Sequence, residues 1–226
     1  STVELMDVGT LMVDTNGDKY RYIKAGAGGV SAGHLVQAPA PLTTAAERVA
    51  VNTAAINDTS VTITAGAQAI AANAYAGGVL CVVSGTAIGD CYPIIGNTAI
   101  TAAGGSVTVQ LGSPIRATFG AADTVTLFHN SCNGAVEVAS STRNPVGIAV
   151  TDIAADSYGW VKVWGIIGGL ADETITLGAW LTSGTSTAGA LEDMDDVTAP
   201  ITDNSVGYAV TAGVDGETNP IFVTIG

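Results

Sequence analysis

The sequence contains the same eight-residue phrase twice, and this repeat limits its fold more than any other feature. Residues 144–151 read NPVGIAVT and residues 204–211 read NSVGYAVT, so six of eight positions are identical at an offset of 60 residues. Apolar positions further along keep the same offset, with Val161 and Val163 matched by Ile221 and Val223. The repeat predicts that one β unit, a strand followed by a turn and a second strand, is built twice.

Each copy carries a glycine in the middle of a segment that otherwise favours a strand. Gly147 and Gly207 are the fourth residues of the two phrases. Glycine weakens a strand because it adds backbone entropy and offers no side chain to pack. Its presence in both copies predicts a β-bulge, or a close approach of another backbone, at the same structural point.

The rest of the chain also favours strands. Only 12% of the 226 residues are charged and 5% are aromatic, and 29 glycines punctuate the sequence. Short segments rich in β-branched residues alternate with glycine turns; the strongest are residues 61–64, 79–83, 91–95, 107–111 and 125–128, and residues 34–37 are a short strand candidate. The predicted class is therefore all-β, with short antiparallel strands in one or two small barrel-like or sandwich-like domains and little helix.

The chain is predicted to have four parts. Residues 1–42 form an N-terminal β-hairpin segment that packs with the C-terminal region. Residues 43–57 are a linker, where Thr44 and Glu47 have the spacing of a capping box and predict a short helix or turn over residues 44–56. Residues 58–129 form a central β domain, inserted between the halves of another. Residues 130–226 form a C-terminal β domain that contains the duplicated unit.

The clearest local prediction is a hairpin centred on Asn16 and Gly17. This pair tolerates the positive φ angles of a type I′ turn, between strands at residues 11–15 and 18–22. Asp14, Asn16 and Asp18 also alternate like the opening of a calcium loop. Because the glycine is at the fourth place and Ala25 occupies the twelfth, the EF-hand pattern fails and a hairpin turn is the better interpretation.

The charge of the chain excludes several classes of partner. Seven basic residues face twenty acidic ones, giving a net charge of −13. Such a chain repels the phosphates of nucleic acids and anionic lipid, so neither nucleic acid nor membrane is an expected partner. The same charge favours docking onto a more basic protein surface.

The three cysteines and the N-terminus indicate synthesis in a reducing cytoplasm. Cys81, Cys91 and Cys132 cannot all pair within one chain, so free buried thiols are expected, with a Cys81–Cys91 bond across a hairpin as the alternative. The first residues show neither the basic nor the apolar region of a secretory signal.

No motif in the sequence predicts catalysis. Residues 29–33 match the Gly-x-Ser-x-Gly pattern around Ser31, with His129 as a candidate partner, but the flanking residues do not predict the strand and helix that a nucleophile elbow requires. Zinc motifs such as HExxH and CxxC are missing. We expect no enzyme activity, no catalytic residue, no metal and no cofactor.

An acidic cluster and three tryptophans leave alternatives open. Residues 192–196 hold four carboxylates and read as a solvated loop; the alternatives are a cation site, a basic partner, or a glycosidase using Glu192, Asp193 and Asp195. Trp160, Trp164 and Trp180 all lie in the duplicated region. They favour packing in the core or between subunits, and the alternative is a glycan-stacking platform that includes Tyr158.

Several phrases resemble those of virion structural proteins of tailed phages, and most of all capsid decoration, or cement, proteins. The resemblance is carried by residues 19–26, 31–37, 75–80, 107–111, 144–150 and 158–165. It implies a non-enzymatic protein, often a homotrimer, that binds the major capsid protein on the outer capsid surface and stabilises the shell. Strand addition through the N-terminal hairpin or through residues 221–225 is the expected route of docking. The alternative is a phage fibre or receptor-binding module that recognises host-surface glycans.

Overall fold

The structure is a computed structural model that describes residues 1–40, 49–66, 69–101, 105–120, 122–137, 143–194 and 204–225. Within these ranges the chain forms sixteen strands and no α-helix, which confirms the predicted all-β class. In chain order the strands are β1 (Leu11–Val13), β2 (Lys19–Ala25), β3 (Leu35–Gln37), β4 (Val49–Ala50), β5 (Ser60–Thr64), β6 (Val79–Ser84), β7 (Cys91–Asn97), β8 (Ser106–Leu111), β9 (Thr124–Phe128), β10 (Asn133–Ala135), β11 (Pro145–Ala149), β12 (Tyr158–Leu170), β13 (Trp180–Ser183), β14 (Leu191–Asp193), β15 (Gly207–Ala209) and β16 (Thr218–Thr224).

The chain divides into two compact units. Ser1–Pro39 and Ser131–Gly226 form the first unit, and Ala40–Asn130 form the second. The second unit is therefore inserted into the first, with its ends at residues 40 and 130 rather than at the 58 and 129 expected from sequence.

The first unit is built on a ten-stranded sheet. Seven strands follow the order β1-β2-β12-β16-β15-β13-β14, while β11 joins β12 to β3 and β10 pairs with β2. The pairing of β10 with β2 is parallel, and the other strand pairs of this sheet are antiparallel. The 13-residue strand β12 is the centre, because it pairs with β2, β11 and β16.

The sequence repeat is also a structural repeat. In the first copy, β11 pairs with β12 so that Ile148 lies opposite Lys162 and Ala149 opposite Val161. In the second copy, β15 pairs with β16, and each of these partners recurs 60 residues later: Tyr208 opposite Phe222 and Ala209 opposite Ile221. The two copies lie side by side in one sheet through antiparallel pairing of β12 with β16.

The repeated glycines mark close approaches of backbone, as predicted. A Cβ atom on Gly207 would lie 2.1 Å from the carbonyl oxygen of Phe222 on β16. A Cβ atom on Gly147 would lie 2.6 Å from Val161 Cγ2, and a register shift occurs in β11 between Pro145 and Gly147. Any other residue at these positions would force neighbouring strands apart.

We expect Gly207→Ala to lower the free energy of unfolding of the first unit by about 2 kcal/mol, because the new methyl group meets backbone that cannot rotate away. Urea unfolding followed by tryptophan fluorescence measures this unit specifically, since all three tryptophans lie in it. Gly28→Ala is the matched control, because a Cβ there meets nothing within 4 Å. Equal losses in the two variants would contradict the assigned role of Gly207.

The second unit is a six-stranded barrel-like sheet. Its strands follow the order β4-β9-β6-β7-β8-β5, and an antiparallel bridge between Val51 and Ile63 links the two ends. The largest fully buried side chains of its core are Tyr75, Tyr92 and Phe119. Valine, leucine and isoleucine from alternate strand positions fill the remaining interior.

The helix or turn predicted over residues 44–56 is wrong where the structure can be compared. Residues 44–48 lie outside the described residues. Val49–Ala50 forms β4, and Val51 and Ala54 make isolated β-bridges to Ile63 and Phe119. The β-branched valines at 49 and 51 suit the edge of the barrel better than a helix.

The cysteines also differ from the favoured expectation. Cys81 on β6 and Cys91 on β7 lie directly opposite each other, with Cα atoms 4.2 Å apart, and form a disulfide. The short Cα distance is that of a non-hydrogen-bonded antiparallel pair. Cys132 is buried and keeps its thiol, and burial raises the pKa of that thiol, although nearby Ser131 and Arg21 oppose the rise.

The N-terminal hairpin forms as predicted, but its register differs by one residue. Val13 pairs with Lys19, so five residues, 14–18, connect the strands in place of a two-residue type I′ turn. Gly17 has a φ of +87°, and its N–H bonds to the carbonyl of Asp14. One carboxylate oxygen of Asp14 accepts hydrogen bonds from the backbone N–H groups of Asn16 and Asp18. This is a type I turn with a glycine bulge, and the backbone uses the carboxylate that a calcium ion would need.

Candidate interaction surfaces

The predicted serine motif lies in a turn rather than at a nucleophile elbow. Gly29 and Gly33, on either side of Ser31, have positive φ angles, and the short strand β3 follows them. The carboxylate of Glu137 accepts a hydrogen bond from the backbone N–H of Ser31, and its other oxygen lies 3.2 Å from His34 Nδ1. These contacts hold a loop in place, and within the described residues the Ser31 hydroxyl makes no hydrogen bond to an imidazole.

His129, the candidate partner of Ser31, belongs to the second unit, whereas Ser31 belongs to the first. Its ring lies 4.3 Å from the ring of the fully buried Tyr75. Burial lowers the pKa of His129, and a hydrogen bond with the backbone of Ala74 only partly opposes this. Burial also raises the pKa of Tyr75 to about 12. Both side chains are therefore neutral parts of the barrel at neutral pH.

We expect the second unit to lose stability as the pH falls below about 6.5, the pKa of an unperturbed histidine. In this range the unfolded chain binds a proton at position 129 that the folded unit does not bind, since the folded pKa is lower. The loss ends once the pH is below the folded pKa. Denaturant unfolding followed by far-UV circular dichroism, compared with His129→Gln, measures the effect. If His129→Gln showed the same pH dependence, the loss of stability would come from other titratable groups.

The acidic cluster is tied to the backbone where the structure describes it. Glu192 accepts hydrogen bonds from the N–H and hydroxyl of Thr185. Asp193 is buried and accepts from the N–H of Thr176 at 2.9 Å. Asp195 and Asp196 lie outside the described residues. Across the described parts of the chain no three potential metal-ligating side chains come together, and no helix there has the length and apolar character needed to cross a membrane.

The three tryptophans separate into two environments. Trp160 packs edge-to-face on the buried Tyr22, whose ring also stacks on Tyr158, so this cluster belongs to the body of the first unit. Trp164 and Trp180 are instead 40% and 55% exposed. The three tryptophans therefore do not form a single surface.

Trp164 and Trp180 are the ends of an exposed row of rings on the ten-stranded sheet. Trp164, Phe222, Tyr208 and Trp180, on β12, β16, β15 and β13, are linked by centroid distances of 5.4, 5.3 and 6.0 Å. We call these four residues the aromatic row. Ile166, which is 56% exposed, lies opposite Phe222 and extends it. Lys19 from β2 places its ammonium 5.2 Å from the ring of Trp164.

A second exposed apolar surface lies at the N-terminus. The three residues of β1 are 40–57% exposed, and so are three residues of the preceding segment at 38–71%; the six are Val3, Leu5, Met6, Leu11, Met12 and Val13. Among the described strands β1 pairs only with β2, so its other edge is open. An exposed apolar edge strand is a template for pairing with another chain.

The C-terminal strand does not offer such an edge, contrary to expectation. Residues 218–224 form β16, which pairs with β12 on one side and β15 on the other. The N–H of Ile225 also donates to the carbonyl of Val163. Strand addition through residues 221–225 is therefore excluded in this fold, and the N-terminal hairpin is the remaining one of the two predicted segments.

Sequence reasoning missed Tyr208 and Phe222. The signal was present in the repeat, because pairing of the two predicted strands in each copy places residues 208 and 222 opposite each other. The exposure of β1 had a weaker signal, since its apolar residues have no alternating polar partners.

Comparisons with known proteins do not assign this chain to a family. No family model matches the chain, and no curated protein matches it. Among solved structures, the head fibre gp8.5 N base of bacteriophage phi29 is similar with a TM-score of 0.30 and 16% identity, covering 74% of this chain and 96% of that one. A likeness of this size carries no argument about fold or function.

Proposed function

We propose that this chain is a non-enzymatic virion protein of a tailed phage that binds the outer capsid surface and stabilises the shell, as a decoration protein does. Its partners are the major capsid protein and other copies of itself in a homotrimer. It is made in the host cytoplasm and needs no cofactor. The observation that supports this function best is the open, apolar edge of β1.

The hydrogen bonding of the hairpin shows which groups β1 offers to a partner. The bonds from Asp14 N to Asp18 O and from Tyr22 N to Thr10 O, both 2.9 Å, place the even-numbered residues in bonded pairs with β2. Because the pattern alternates along an antiparallel strand, the N–H and C=O groups of Leu11 and Val13 point away from β2. A strand of a capsid subunit can add there and bury the apolar side chains.

Charge supports a protein partner at this position. The net charge of −13 favours a partner that is more basic than this chain. Contacts of this kind, repeated over every copy on a capsid lattice, stabilise the assembled state because they are lost when subunits separate.

The test is co-sedimentation of the protein with expanded, undecorated capsids, together with the melting temperature of the capsid. Leu11→Pro removes an outward N–H without removing a bond to β2. Leu11→Thr is the matched control, since it shortens the apolar side chain and keeps the N–H. We expect the proline variant to lose far more binding than the threonine variant. Failure of the wild-type protein both to co-sediment and to raise the melting temperature would refute the proposed function.

A further inference from the structure

The aromatic row is an apolar surface that the described residues of the chain leave exposed. Trp164, Ile166, Trp180 and Tyr208 are between 36% and 56% exposed. With the half-buried Phe222 they form an apolar patch on the order of a few hundred Å², the size of the largest patch on an ordinary monomeric protein, which is often functional.

The internal repeat shows how the equivalent position is covered in the first copy. Tyr208 and Phe222 correspond to Ile148 and Lys162, which are both buried. Lys162 is covered by the N-terminal hairpin: its ammonium lies 2.5 Å from Asp18 Oδ2 and 5.0 Å from the ring of Tyr20. The same strand pair is thus covered by a protein element in one copy and exposed in the other.

The distribution of charge favours another copy of this chain as the partner. The four strands that carry the row contain no aspartate or glutamate, although the chain has twenty. At one end of the row, β12 and its neighbour β2 carry four of the seven basic residues: Lys19, Arg21, Lys24 and Lys162. At the other end, β13 pairs with β14, which carries Glu192 and Asp193. Another chain of net charge −13 meets least repulsion here and some attraction from Lys19.

We propose that the aromatic row is a contact surface between copies of this chain, which bury it when they assemble. The proposal rests on the proposed function, since the row supplies the copy-to-copy contact of the homotrimer assigned there. A standard interface buries about 800 Å² on each partner. The row therefore forms the apolar centre of the contact, and polar residues around it supply the remainder.

The orientation of the rings favours a protein over a sugar on this surface. Phe222 and Tyr208 are nearly parallel, at 12° and 5.3 Å, so that each covers one face of the other. Trp164 meets Phe222 edge-to-face at 83°, and the Lys19 ammonium lies over its ring. A pyranose stacks on an open ring face, and protein side chains pack equally well on edges.

Sedimentation velocity of wild-type protein and of Ile166→Glu tests the proposal. Val214→Glu is the matched control, because Val214 is also β-branched, is also 56% exposed and lies in the same unit. We expect the wild-type protein to self-associate and Ile166→Glu to raise its dissociation constant by about 30-fold or more, as for a residue at the centre of an interface. Val214→Glu should associate like the wild type. Trp180→Ala, which adds no charge to the sheet, gives the readout if Ile166→Glu does not fold.

Three outcomes would overturn the proposal. The wild-type protein could be monomeric, or Ile166→Glu and Trp180→Ala could both associate like the wild type. The third outcome is binding to a glycan array that these two variants lose without any change in association. Capsid co-sedimentation separates this proposal from the proposed function. If the protein self-associates through the row but does not bind capsids, the contact surface is retained and capsid binding is refuted. If the protein binds capsids as a monomer, the contact surface and the homotrimer are refuted and capsid binding is retained.

Discussion

Replacing both Cys81 and Cys91 by serine is expected to lower the free energy of unfolding of the second unit by about 3 kcal/mol, the value for a disulfide that closes a loop of ten residues. The bond joins β6 to β7 within the barrel-like sheet. Without it, the unfolded chain gains conformations while the folded strands keep their pairing. The loss is confined to one unit, because both cysteines lie within residues 40–130.

Hydrogen exchange of peptides from β6 to β9, read by mass spectrometry, measures this loss in the second unit. Cys91 is exposed, and Cys81 is half-buried, so serine is tolerated at both positions. Reduced wild-type protein is the matched control and should exchange like the double variant. If dithiothreitol destabilises the double variant as much as the wild type, the effect does not come from this disulfide.

The sequence predicted the strands well because their signal is local. β-branched residues between glycine turns located β5 to β9 to within one or two residues. The repeat at 60 residues predicted paired strands, and the structure keeps that offset in each pair of opposed residues. The close backbone approach at Gly147 and Gly207 was also predicted correctly, because a glycine inside a strand has few physical explanations.

The predictions that were wrong depend on specific strand pairings and hydrogen bonds, which strand propensity does not reveal. Residues 221–225 favour a strand wherever they lie, and their own sequence does not show that β12 and β15 pair with both of their edges. The register of the hairpin was missed because Asp14 bonds to the backbone N–H groups of Asn16 and Asp18, which stabilises a longer loop than Asn-Gly alone predicts. The number of cysteines does not reveal that β6 and β7 place two of them opposite each other.

The candidate surfaces were the least predictable part. Exposure of Trp164 and burial of Trp160 on the same strand follow from their neighbours: Trp160 lies opposite Tyr22, whereas Trp164 lies opposite Thr224. Even spacing along β12 predicts one face for both tryptophans, but the register of β12 against β2 shifts between Lys162 and Trp164. Spacing also does not show what covers each side chain. The N-terminal hairpin covers Lys162 through an ion pair between residues 144 positions apart.

This ion pair gives the second large expected effect. Asp18→Ala should lower the free energy of unfolding of the first unit by about 3 kcal/mol, because it leaves the Lys162 ammonium buried without its counter-charge. The Lys162 side chain is only 9% exposed, and its ammonium also donates a hydrogen bond to the carbonyl of Ile166 at 2.9 Å. Gly165 makes room for the carboxylate, since a Cβ there would lie 2.0 Å from Asp18 Oδ1.

Lys162→Met separates the loss of the pair from the cost of a stranded charge. It keeps the apolar stem and removes the ammonium, and Asp18, which is 28% exposed, can then be hydrated. We expect Lys162→Met to lower the free energy of unfolding less than Asp18→Ala does. The double variant Asp18→Ala/Lys162→Met should lose about as much as Lys162→Met alone, rather than the sum of the two single losses. Burial alone would lower the pKa of Lys162, but the hydrogen bonds with Asp18 and Tyr20 raise it overall. The stabilisation is therefore full below about pH 10.5, the unfolded pKa, and is lost only as the pH rises through the folded pKa. Urea unfolding followed by tryptophan fluorescence at neutral pH gives all three free energies, and additive losses would show that the two side chains act independently.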